Sequence, residues 1–187
     1  MSATAAPFGL RCVYHPSGEP RIETLNNGIA SAYGTGLYTG TPVKLTTDGT
    51  LVATATGADS TIGIFVGCFF ISGNRPFQLP YWPAAQTYDA NTLMWAQYEA
   101  LDPNAIYEGQ ADGTVAQTAL GEAINLVTAS TGSVYTGNSA QALNHTTTGA
   151  TPGTFIVQNI APYPDNAWGD AFTIVRVRIG TYQGPIA

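Results

Sequence analysis

Charge is what this chain has least of. Only 10% of its 187 residues are Asp, Glu, Lys or Arg, where an ordinary globular domain carries roughly 25%, and Lys44 is its only lysine. Six cations stand against twelve acids, a net charge of −6. Phosphate contacts are built from clustered Lys and Arg, and the six here are scattered, so nucleic acid is excluded as an expected partner.

Cysteine is nearly as scarce. Cys12 and Cys68 make no CxxC or zinc spacing. The opening Met1-Ser2-Ala3-Thr4-Ala5-Ala6 has neither the basic nor the apolar stretch of a secretion signal. Synthesis in a reducing cytoplasm and two free, buried thiols are therefore expected, a Cys12–Cys68 disulfide being the other state open to them. No apolar run approaches the roughly 18 residues that span a bilayer, so no membrane partner is expected.

Groups that carry chemistry are thin as well. Nucleophilic catalysis needs a base beside the nucleophile. The two histidines, His15 and His145, fall in a Pro/Gly turn and in a long polar stretch, both reading as solvated loop residues, and no G-x-S-x-G elbow is present. Glu99, Asp102 and Glu108 are close enough in sequence to supply the two carboxylates of a glycosidase, though nothing separates them from ordinary surface acids. Asp165, Asn166 and Asp170 lack EF-hand spacing and read as turn-bonding residues rather than calcium ligands. Gly34-Thr35-Gly36 lacks the strand, helix and lysine of a phosphate loop. Asn144-His145-Thr146 matches a glycosylation acceptor, which means little without secretion. No catalytic residue, metal or cofactor is expected.

What is present is a β pattern on a neutral surface. A chain of this length buries roughly 70% of its unfolded area, enough for a real core. Gly40 to Ile71 organises the rest. Pro42 to Thr46 opens extended, Asp48-Gly49 supplies a tight turn, and Leu51 to Thr56 returns. After a turn at Gly57-Ala58-Asp59-Ser60, Thr61 to Ile71 is apolar but carries Gly63 and Gly67, which predict a bent or bulged strand approached by another backbone. Leu10 to Tyr14 reads as a strand and Asn26-Asn27-Gly28 as a turn; Thr92 to Ala100 reads as helix by propensity, but Met94, Ala96 and Tyr98 on one face with Leu93, Trp95 and Gln97 on the other also fit a strand. Ala105 to Gln110, turning at Ala111-Asp112-Gly113 into Thr114 to Thr118, predicts a second hairpin, with Ala123 to Thr128 after it. The echo of Asp48-Gly49 at Asp112-Gly113, 64 residues on, suggests either two similar β units or a shared turn type. Thr154 to Ile160 and Phe172 to Ile179 close the set, the latter with Val175, Val177 and Ile179 opposite Arg176 and Arg178.

Between these runs lie the contact candidates. Pro76, Pro80 and Pro83 forbid a central strand and hold Phe77, Tyr81 and Trp82 on a stiff, donor-poor, edge-like backbone, where the rings either cap the chain's own core or meet a partner. Pro7-Phe8 is an apolar anchor in an otherwise small, neutral N-terminal arm, and the Pro162 to Asp170 turn carries Tyr163 and Trp168. Gly132 to Gly153 reads as a long polar surface loop, with one helical turn near Ser139 to Asn144. The expected fold is all-β, a sandwich or small barrel of short antiparallel strands with long loops and extended terminal arms. Residues 1–27 are its arm and first strand. Residues 28–187 are its β domain, divided, if the echo is real, near residue 90.

Thr41-Pro42-Val43-Lys44-Leu45, Asp48-Gly49-Thr50-Leu51-Val52 and Ile62-Gly63-Ile64-Phe65-Val66-Gly67 together resemble the small β-domains of tailed-bacteriophage capsid decoration, or cement, proteins. The resembling stretch runs from Gly36 to about Gly67, and the opening SATAAPFGLRCVYHPSGEPR is similar to the start of longer phage structural proteins. The resemblance implies a virion protein on the outer capsid surface. It would bind the major capsid protein, bridge neighbouring capsomers and associate with itself, as a trimer in preference to a dimer. Pro7, Phe8, Phe77, Tyr81, Trp82, Tyr163 and Trp168 are then the expected contact residues, and the low charge lets such contacts form without stranding buried ions. Two other classes stay open: a carbohydrate-binding β-module of a tail fibre or adhesin, stacking sugars on exposed Trp and Tyr, and a small cell-wall hydrolase using Glu99 and Glu108.

Overall fold

A computed structural model describes residues 4–54, 60–127, 131–149, 153–181 and 183. Among these residues the chain forms β1 (Arg11–Tyr14), β2 (Ile22–Asn26), β3 (Leu37–Tyr38), β4 (Pro42–Leu45), β5 (Leu51–Ala53), β6 (Gly63–Ser72) and β7 (Arg75–Leu79). Then follow β8 (Tyr81–Trp82), β9 (Met94–Ala100), β10 (Ile106–Gln110), β11 (Ala123–Leu126), β12 (Leu143–Asn144), β13 (Phe155–Ile160) and β14 (Ile174–Ile179). Two single 3-10 turns, Gln117–Ala119 and His145–Thr147, are the only helical elements described.

The strands make an antiparallel sandwich. One sheet has the order β1-β10-β14-β13-β11-β12 and the other β2-β9-β6-β4-β5, while β3 and β8 pair as a small ribbon. Among the described residues neither large sheet closes into the barrel that the strand pattern left open.

β6 is the axis of the second sheet. β9 runs along one of its edges, and β4 and β7 share the other, β4 against Gly63 and Ile64 and β7 against Cys68 to Ser72. Its two glycines do what their spacing predicts. The register of β6 against β9 slips between Phe65 and Gly67, a bulge. A Cβ on Gly63 would sit 2.6 Å from the Glu99 carbonyl oxygen, and one on Gly67 would sit 2.9 Å from that of Leu79. The expected β4–β5 hairpin also forms, turning at Asp48-Gly49 with Gly49 at φ +74. β7 is an edge strand, which is how it carries Pro76.

Two cores result. Tyr107, Ile124, Phe155, Val157, Val175, Val177 and Ile179 line the inner face of the first sheet with Leu10, Ile64 and Leu143. Val43, Leu51, Phe65, Phe70, Met94 and Ala96 line one face of the second sheet under Ile29, Leu37 and Trp82. Cys12 packs against the first core and Cys68 lies in the second, both as free thiols, and burial pushes their pKa values up to about 11 and about 12.

Three expectations change. No strand follows the Asp112-Gly113 turn. Asp112 Oδ1 accepts from the backbone N and from Nδ1 of His145, each at 2.8 Å, so the turn fastens a distant segment instead of closing a hairpin. β9, placed by the sequence in a second unit, pairs with β6 of the first. Ser139 to Asn144 makes no surface helical turn: Gln141 is buried, its Nε2 donating to the carbonyl oxygens of Thr54 and Val127, one beside each large sheet.

The N-terminal arm meets this same seam. Gly9 N donates to Gln141 O and Leu10 N to Gly40 O, while Gln110 accepts from Ala6 N and donates to Thr4 O. The described arm thus packs on its own chain, because its backbone groups find partners in the gap between the sheets. The turn expected at 57–59 and the tips of both arms lie outside the described residues.

Glu99 is buried at the seam as well. The Cys12 thiol sits against it, His15 and Tyr107 lie nearby, and its Oε1 finds no hydrogen-bond partner among the described residues. Burial raises its pKa, against smaller downward pulls from Cys12 and His15. A carboxyl raised in the folded state contributes stability that is full below its unfolded value and is lost as pH rises through the folded one. Glu99→Gln stays neutral throughout. It should therefore melt above the parent at pH 7 and with it near pH 4, which parallel thermal melts across that range will check.

Candidate functional site

The first sheet brings two of the expected contact residues together. Arg11, Glu108 and Arg176 stand side by side on adjacent strands because Glu108 is the register partner of both arginines. Glu108, with a side chain 2% exposed, accepts from Arg11 Nη2 at 2.9 Å, Tyr163 Oη at 2.7 Å and Arg176 Nε at 3.0 Å. Burial alone would raise its pKa, but the bonds from Tyr163, Arg11 and Arg176 together outweigh it and hold the carboxyl below its ordinary value. The Arg11 guanidinium lies 4.9 Å from the Phe8 ring centre and 5.9 Å from that of Tyr163. Phe8 and Tyr163 are thus half-buried flanks of an internal ion cluster, with Pro7 half-buried beside Phe8.

The remaining expected contacts disperse. Trp82 is fully buried, against Phe70 and Tyr88, and pairs with Leu37 across the β3–β8 ribbon, so its ring meets no partner. Trp168 is half-buried against the first core, and Tyr81 stacks on Tyr38. Phe77 alone is well exposed, one face stacked on Phe70.

Glu99 and Glu108 do not share a cleft. Glu108 faces Arg11 and Glu99 faces Cys12; as successive residues of β1 those neighbours point to opposite sides of the first sheet. Asp102 instead lies 3.9 Å from Nε2 of His15, whose side chain is only 8% exposed, with Ser17 Oγ 2.7 Å from its Nδ1. His15 is therefore no solvated loop histidine, since its turn folds back over the end of β9. Asn166 bonds the backbone of Ala161 and Ile174, and Asp170 accepts from Ala167 N, both turn struts.

Two surfaces stand out. The first is the tip of the long loop, where Tyr135 is 97% exposed and Val134 49%. The tip is braced. Gly137 N donates to Ser133 O and Ser133 N to Asn138 O, a bridge joins Gly132 to Ser139, and Thr39 N donates to Gly137 O. The composition of 132–153 pointed to a loop; its one adjacent pair of large apolar residues was the overlooked signal.

The second surface is the solvent face of the second sheet, where alternation along β9 turns Met94 and Ala96 inward and leaves Trp95 37% exposed. Trp95 packs on its register partner Phe69 with ring centres 5.1 Å apart. Beside them a cleft of about 380 Å³ is lined by Phe69, Gln78, Pro80, Trp95 and Gln97, with no charged residue.

No helix among the described residues is long and apolar enough to cross a membrane. Comparison with protein-family models, with curated proteins and with solved structures found no match for this chain.

Proposed function

We propose that the protein is a structural component of a tailed-phage virion, a decoration protein that binds the outer surface of the capsid and bridges neighbouring capsomers. The observation that carries this reading is the braced Val134-Tyr135 tip. An aromatic residue almost wholly in solvent costs little to bury, and a turn already fixed by its own hydrogen bonds loses little entropy on docking. The near absence of charge supports it, since a neutral surface can be covered by a protein partner without desolvating ions. Self-association, as a trimer in preference to a dimer, belongs to the same reading.

Co-sedimentation with purified, expanded empty heads tests it. The parent protein should pellet with heads at saturable stoichiometry. Tyr135→Ser should weaken binding by about 2 kcal/mol, the scale of an interface anchor, roughly thirtyfold. Equal binding by both would remove the tip from the interface.

A further inference from the structure

We propose that the solvent face of the second sheet binds an uncharged carbohydrate chain against Trp95, in the cleft beside it. This stands apart from the docking reading, which uses the loop tip.

Register places Asn26, Trp95, Phe69 and Gln78 in one row across four strands, with Thr24, Gln97 and Gly67 in the row beside it. On one side of Trp95 is the cleft of about 380 Å³ with Gln78 and Gln97 in its wall. Separately, at the end of the sheet where β2 meets β9, a wider depression of about 820 Å³ is lined by Asn26, Asn27, Thr50, Asn91, Thr92 and the inward-facing Met94. Asn26 is the cross-strand partner of Trp95, though no residue lines both hollows. Both volumes fall in the range of small-ligand sites.

The lining selects the ligand class. A pyranose ring has a C–H face that stacks on an aromatic ring and a rim of hydroxyls that both donate and accept. Trp95, steadied by Phe69, offers the ring, and the amides of Gln78, Gln97 and the cross-strand Asn26 each offer a donor and an acceptor. Asp48, in the wider depression, is the one charged residue lining either hollow, so an anionic polymer would meet no cation here and a cationic one would find a single acid.

The test is calorimetric titration of the full chain with cellohexaose, maltohexaose and chitohexaose, with hexagalacturonate as the charged control. At least one neutral hexasaccharide should bind and quench tryptophan fluorescence, and the control should not. Trp95→Ala should weaken that binding about tenfold or more, while Trp95→Phe, which keeps a ring, should retain most of it. The proposal is overturned if no neutral hexasaccharide binds, if hexagalacturonate binds equally, or if Trp95→Ala binds as the parent does. It is equally overturned if sedimentation shows a dimer that Trp95→Ala dissociates, for then a second copy covers this face.

Discussion

Trp82→Ala is expected to lower unfolding stability by about 3–5 kcal/mol, the cost of emptying a tryptophan-sized site that cannot collapse. The site is closed on all sides. Trp82 is fully buried with its ring edge-on to Phe70 at 5.2 Å and to Tyr88 at 6.3 Å, beneath the face of β6 that also carries Phe65 and Cys68. Against a total stability of about 5–15 kcal/mol, that loss is a large share and should lower the melting temperature markedly. Trp82→Phe should cost far less than its lost area implies. The indole Nε1 is buried without a hydrogen-bond partner among the described residues, and phenylalanine removes that unmet donor. Denaturant unfolding of the three proteins measures both differences.

Glu108→Ala should cost about 3 kcal/mol at neutral pH, because it leaves two arginines and the Tyr163 hydroxyl without their shared acceptor. The figure sits at the low end for a broken buried pair, since the Arg11 and Arg176 side chains are partly in solvent and can rehydrate. The pH dependence is opposite to that of Glu99. A carboxyl held below its ordinary value contributes stability that is present above its unfolded pKa and disappears as pH falls through the folded one. The gap between parent and Glu108→Ala should therefore narrow on acidification below about pH 4, whereas the gap between Glu99→Gln and parent opens as pH rises above it. Urea unfolding of both pairs at pH 3 and pH 7 separates the two signs.

Local pattern carried most of the fold. The Gly63 and Gly67 spacing announced the bulge of β6, Asp48-Gly49 its hairpin, Pro76 an edge strand, and the alternation over Ile174–Ile179 the split between core valines and outward arginines. What escaped was set by partners far away in the chain. Trp82 sits between two prolines that make its backbone look peripheral, yet its depth follows from pairing with Leu37, 45 positions earlier. Asp112-Gly113 has hairpin chemistry, but His145 takes the aspartate first. Gln141 belongs to a polar stretch that reads as surface, and only the two carbonyls beside separate sheets explain its burial. Among the aromatic residues, a neighbouring proline did not mark exposure, since Trp82 is fully buried and Tyr81 stacks on Tyr38. Strand alternation put Trp95 on the outer face, and an apolar pair in a polar loop was the sign of the exposed Tyr135.

The measurement that bears most directly on the proposed role is the melting temperature of purified, expanded empty heads as this protein is added. A ligand that binds only the expanded lattice stabilises it by mass action, so the head transition should climb with protein concentration and keep climbing logarithmically beyond saturation. A head transition that stays where it is at every concentration, with the protein left in solution, would contradict a role in holding the shell together.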